Sequence, residues 1–160
     1  MSSLHCVRSE DGCIVRVLGP GTLRVSPAFK AFVGRYLSGH RTSRVTVDLS
    51  DCDYLDSTFL GCLIGLHKLG GEGDRRLRFF AKDERCRRLF AASMLDRYLC
   101  IVDRLPDTTE EVEVIPDCEL DAREFGQHVM QCHQRLAAAG GEESDEFASI
   151  VEQLAKELKN

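Results

Sequence analysis

The sequence predicts an α/β fold: a mixed sheet flanked by helices, followed by a helical hairpin at the C-terminal end. Three observations carry this expectation. Short β-branched runs alternate with stretches whose apolar residues recur every three to four positions, glycine- and proline-rich breaks separate them, and the texture changes after Pro106. A length of 160 residues suits one domain of ordinary size, or a domain of about 110 residues with an appendage. With 43% of residues hydrophobic and 29% charged, the chain can bury a core and falls outside the disordered class.

The elements follow in order. Residues 4–8 and 13–18 flank Ser9-Glu10-Asp11-Gly12, and Asp-Gly between two extended runs marks a β-hairpin. After Gly19-Pro20-Gly21, Ser26-Pro27 supplies an N-cap hydroxyl and a first-turn proline. Phe29, Phe32, Val33, Tyr36 and Leu37 then give helical spacing up to Gly39. Residues 44–49 form an interior strand, a second helix runs from Ser57 through Leu60, Leu63 and Ile64 to the Gly70-Gly71 break, and residues 77–81 form another strand. Asp83 caps a helix with Cys86, Leu89, Phe90 and Met94 on one side, and residues 98–102 add a last short strand. The predicted order is β-β-α-β-α-β-α-β.

Beyond Pro106, Pro116-Asp117 introduces a helix through Ala139, Gly140-Gly141 breaks it, and a second helix spans 144–158. In that helix Phe147, Ile150, Val151, Leu154 and Leu158 form an apolar stripe that must pack on the domain or on another chain. The expected division is therefore a domain at 1–106 and an acidic helical extension at 107–160. Charge divides at the same place: residues 1–106 hold 17 Lys and Arg against 12 Asp and Glu, whereas 107–160 hold 4 against 14. The acidic half weakens a nucleic-acid reading of the basic stretch Arg75, Arg76, Arg78, Lys82, Arg85, Arg87 and Arg88, which no aromatic platform accompanies. That stretch reads as solvated surface, protein contact, or a seat for the acidic tail. No apolar run approaches the ~18 residues of a membrane helix, so a cytoplasmic location without membrane insertion is expected. The 8 scattered cysteines lack a CxxC pair and read as buried thiols rather than a disulfide framework.

Chemistry concentrates where the interior strand ends and the second helix begins, in Asp48-Leu49-Ser50-Asp51-Cys52-Asp53-Tyr54-Leu55-Asp56-Ser57-Thr58-Phe59-Leu60-Gly61. Ligand sites gather at carboxyl ends of strands, and helix N-terminal amides favour an anion. Ser57 reads equally as a plain N-cap. The Asp56-Ser57-Thr58-x-Leu60-Gly61 turn and the element order resemble the STAS domain of the anti-sigma factor antagonists over residues 4–103. The resemblance implies Thr58 as phosphoacceptor, with Ser57 as the alternative, Asp56 as the motif carboxylate and Gly61 as the helix glycine. It also implies an anti-sigma factor or serine kinase as partner. Phe59 stands where the family has glycine, either as an exposed apolar anchor or as an obstacle to a kinase. Arg24 stands where many members have aspartate, and near Thr58 it would pair with a phosphate.

The expectation is thus a phospho-regulated interaction module that docks its partner through Asp56, Ser57, Thr58, Phe59, Gly61 and Arg24. Two alternatives remain: a self-associating stressosome-like scaffold, homo-oligomeric through 107–160, and an accessory protein reading a small anionic or lipid ligand. No cofactor, metal or enzymatic activity is expected. His128, Cys132 and His133 share helical spacing but read as a solvated face, and neither a phosphate-cradling loop nor a nucleophile elbow is present.

Overall fold

A computed structural model describes residues 2–69, 76–92 and 99–138. Strands β1 (Ser3–Ser9) and β2 (Gly12–Leu18) form the expected hairpin. Its two-residue loop is Glu10-Asp11, with Gly12 opening β2 at φ +155°, where any side chain would collide with the Arg44 backbone. Helix α1 (Ser26–Gly39), strand β3 (Arg44–Asp48), helix α2 (Ser57–Leu69), strand β4 (Leu77–Phe80), helix α3 (Glu84–Ala92) and strand β5 (Cys100–Val102) complete the predicted order.

The next element differs from expectation. Composition places residues 107–115 in a helical extension, yet Thr108–Ile115 form strand β6, which pairs antiparallel with β1 through Leu4–Ile115 and Cys6–Glu113. The sheet runs β5-β4-β3-β2-β1-β6, parallel from β2 to β5 and antiparallel on either side of β1. Helix α4 (Ala122–Ala138) follows, starting later than Pro116-Asp117 suggests because Asp121 is its cap: the carboxylate accepts the Glu124 N–H at 2.8 Å. The apolar stripe of 144–158, together with Arg75, Met94 and Tyr98, lies outside the described residues.

One sheet face carries the main core. Cys6, Val15, Val47, Phe79 and Ile101 fall in register across five strands. Against them pack Phe29, Val33 and Leu37 of α1, Phe59 and Leu63 of α2, and Phe90 of α3. Two members of the basic stretch are internal ties rather than solvated surface. The Arg76 guanidinium donates to the Leu37 carbonyl at 2.8 Å and to the Ser43 and His40 carbonyls, closing the end of α1, while Arg78 pairs with Asp11. Lys82, Arg85, Arg87 and Arg88 are exposed.

Helix α2 is apolar on all sides, and residues 58–64 and 66 are buried. Such a helix needs a neighbour on each flank. The sheet and α1 supply one, and α4 supplies the other through Cys132 and Leu136. Gly61 and Gly65 make room for it: a Cβ on Gly61 would overlap the Cys132 carbonyl, and one on Gly65 would crowd the Arg135 side chain.

Gly61→Ala gains up to about 1 kcal/mol of helix propensity yet forces apart two backbones in contact. A net loss of roughly 1–3 kcal/mol in urea unfolding is expected. Gly39→Ala, where an added methyl group would meet nothing within 4 Å, should be neutral or stabilising.

Candidate functional site

The site is assembled by one carboxylate. Asp56, rather than Ser57, caps α2: its Oδ1 accepts the Phe59 N–H at 2.8 Å, and its carbonyl accepts Leu60 N–H at 3.0 Å. Its Oδ2 accepts the Leu23 N–H at 2.7 Å, and its own N–H donates to the Gly21 carbonyl at 2.9 Å. Gly21 in turn donates to Tyr54 O at 2.7 Å. The loop carrying Thr22, Leu23 and Arg24 is thereby fixed beside the hydroxyl-bearing turn at the carboxyl end of β3.

Ser57 and Thr58 occupy the first turn of α2, and no pattern local to that turn marks what covers them. His133 of α4 places Nε2 3.0 Å from Ser57 Oγ and 3.3 Å from Thr58 Oγ1. Thr58 is only 2% exposed, while Ser57 stays partly accessible. One turn earlier on α4, His128 Nε2 lies 2.7 Å from Ser26 Oγ. The Ser-Pro pattern points to Ser26 as the α1 cap, but Val25 is the cap residue and Ser26 lies inside the helix, its hydroxyl donating to Leu23 O at 3.2 Å. The expectation of a solvated face for His128, Cys132 and His133 is therefore corrected: all three are buried, because this face of α4 meets the hydroxyls of α1 and α2. Among the described residues, no group of three His, Cys, Asp or Glu could hold a metal.

Phe59 also departs from expectation. The Asp56 cap fixes it at the third helical position facing inward, where it is fully buried, 4.8 Å ring to ring from Phe29 and against Gly21. It is neither an exposed anchor nor an obstacle at the surface. The exposed apolar side chains at this end belong to Leu23 and Tyr54, with Arg24 exposed between the same loops. Gly61 faces α4 rather than an open surface.

A Ser–His contact can raise the nucleophilicity of a hydroxyl. Here, however, both Asp56 oxygens accept backbone N–H groups and α4 closes the space above Thr58. The arrangement is a covered turn with an exposed rim. Burial pushes His133 below the ordinary histidine range, opposed by the negative charges of Cys132 and Asp56. No described helix is long and apolar enough to cross a membrane.

Comparison with known proteins follows the same lines. The family model described as "Mlab, STAS domain" matches residues 5–103. The fold is similar to a Thermotoga maritima protein described as an anti-sigma factor antagonist, with a TM-score of 0.52 at 20% identity over 62% of this chain and 86% of that one. It is also similar to the anti-sigma factor antagonist SpoIIAA in its unphosphorylated form, with a TM-score of 0.50 at 13% identity over 66% of this chain and 90% of that one. No curated protein matches by sequence.

Asp56→Ala removes a cap and a second charge-assisted hydrogen bond, and should cost about 2–3 kcal/mol in denaturant unfolding. Asp56→Asn keeps one acceptor oxygen and should cost less. His133 favours its neutral form in the fold, so its contribution is complete above the ordinary histidine range and is lost as pH falls through the depressed folded value. Amide protection factors in α4, taken relative to the intrinsic exchange rate at each pH, should therefore fall from pH 7.5 to 5.5 in the native protein, and more steeply than in His133→Gln.

Proposed function

The chain belongs to the Mlab-type STAS domain family, and on that premise we propose that it is a non-enzymatic, phospho-regulated interaction module of the anti-sigma factor antagonist kind, with Thr58 as phosphoacceptor and Ser57 as the alternative. The observation that carries this reading is the Asp56-held turn, which sets two hydroxyls at a helix N-terminus beside an exposed rim of Leu23, Arg24 and Tyr54. The partner is an anti-sigma factor or serine kinase that grips this rim. Leu23 and Tyr54 supply the apolar anchors that Phe59 does not, and Arg24 is a cation for the partner's acidic groups or for the phosphate itself.

In this reading α4 is a cover. A phosphate on Thr58 adds roughly 1.5 to 2 negative charges and the bulk of a phosphoryl group at a residue 2% exposed beneath His133. Phosphorylation and seating of α4 therefore exclude each other, and each weakens the other by the same free energy. The helix N-terminus favours the anion once α4 lifts, while the adjacent Asp56 opposes it.

The scaffold alternative retains one supporting observation. Edge strand β6 exposes Val112 and Val114 by 50% and 67%, an apolar pair that a second copy would bury. A Val114→Lys variant with an unchanged oligomeric state in size exclusion would remove that support.

Protein isolated from its native host should carry one phosphate, absent in Thr58→Ala and present in Ser57→Ala, and should co-purify with a kinase of anti-sigma type. Failure of both the phosphate and the kinase to appear would sink the reading. Thr58→Glu should speed amide exchange across α4 at least tenfold while leaving the β2–β4 amides protected.

A further inference from the structure

Where α1, α2 and α4 meet, four residues form a chain of contacts that partner docking does not use. Cys62 Sγ lies 3.8 Å from the Ser26 carbonyl, Ser26 Oγ lies 2.7 Å from His128 Nε2, and that nitrogen lies 3.8 Å from Cys132 Sγ. Cys132 and Cys62 face one another closely enough that each thiol shifts the ionisation of the other. Each is only 2% exposed, yet both line a cavity of about 320 Å³, whose wall also carries Lys30 and Arg135.

The two helices meet in main-chain contact beside this pair. Gly61, adjacent to Cys62, touches the main chain of Cys132 so tightly that no side chain fits between them. A disulfide needs Cα atoms within about 7 Å, a separation that main-chain contact one residue from Cys62 brings within reach of a small shift of α4. The chemistry is also asymmetric. The neighbouring Cys62 thiol and the His128 side chain favour the Cys132 thiolate and hold its thiol well below the ordinary range, with Lys30 adding to the effect, whereas Cys62 is pushed up. An acidified thiol beside a neutral one, in a cavity with cationic walls, is the arrangement of an attacking and a resolving cysteine.

We propose that Cys62 and Cys132 are a peroxide-sensitive redox pair, in which Cys132 is oxidised first and Cys62 resolves it to a disulfide that staples α4 onto α2. The Cys132 thiolate attacks one oxygen of a hydroperoxide, and the O–O bond breaks. With hydrogen peroxide, hydroxide leaves and takes up a proton as water, and Cys132 becomes a sulfenic acid. Cys62 sulfur then attacks the Cys132 sulfur, the S–O bond breaks, the leaving hydroxyl takes the Cys62 proton, and a second water departs as the S–S bond forms. A small-molecule dithiol reverses the change. The disulfide stands independently of phosphorylation, and only its consequence, a cover locked over Thr58, rests on the reading above.

The test uses the full chain, reduced and then treated with hydrogen peroxide, with remaining thiols alkylated and peptides mapped by mass. The proposal expects a cross-linked Cys62–Cys132 peptide, 2 Da lighter than the reduced pair, forming before other cysteine pairs and at the same rate in Thr58→Ala. It also expects a dimedone adduct on Cys132 in Cys62→Ser. The exposed Cys118 serves as an internal reference for unassisted oxidation. If Cys118 is oxidised while Cys132 remains alkylatable, or if Cys132 pairs with a different cysteine, the proposal is overturned. Mapping of the unsubstituted protein decides this even if the serine variant does not fold. Phosphate on Thr58 in molecules that also carry the Cys62–Cys132 disulfide would overturn the cover's role in phosphorylation and leave the redox pair standing.

Discussion

A helix that is apolar on every side cannot be satisfied by one sheet, and most of this architecture follows from that constraint on α2. Its inner flank meets Phe29, Val47 and Phe79, and its outer flank would expose Cys62 and Leu66 without α4. Each buried aliphatic side chain is worth roughly 1.5–3 kcal/mol, so leaving a flank open would cost a large part of a small domain's stability. Helix α4 is thus the outer layer of the domain rather than an appendage. Because α2 carries the hydroxyl turn at its first residues, the layer that completes the core also comes to rest on that turn.

Where periodicity and chemistry coincide, the sequence was legible. The strands at 44–48 and 77–80 and the helix at 26–39 show alternation or three-to-four spacing, and each appears within a residue or two of its expected bounds. The Asp56-Ser57-Thr58 turn sits where strand-to-helix logic places it. What escaped was set by tertiary context. β6 alternates Glu111, Val112, Glu113 and Val114, which as composition reads as an acidic tail; only its pairing with β1 makes it a strand. His133 reaches Thr58 across 75 residues of sequence, a separation over which no local pattern speaks.

The errors at individual residues have a common source. A position near a helix start suggests a surface site for Phe59, whereas the cap set by Asp56 rotates that third position inward onto Phe29. Residue type alone sends His128, Cys132 and His133 to solvent, although Ser26, Ser57 and Thr58 offer them buried partners. One signal was available: Asp121 followed three residues later by Glu124 is a capping pattern that marks the true start of α4. From that start, the inward face of the helix could have been read directly.

The short connection between β6 and α4 has its own consequence. Only residues 116–121 separate a strand locked into the sheet from a helix seated on α2. Six residues reach about 20 Å at full extension, so an undocked α4 stays close to its seat. A tether of that kind holds a segment at an effective concentration on the order of millimolar. Any external protein that requires the outer surface of α2 competes against a ligand that never diffuses away. Its apparent affinity is lowered by the fraction of time the helix is seated. The length of one linker, as much as the chemistry of the turn, thereby sets the threshold at which this module responds.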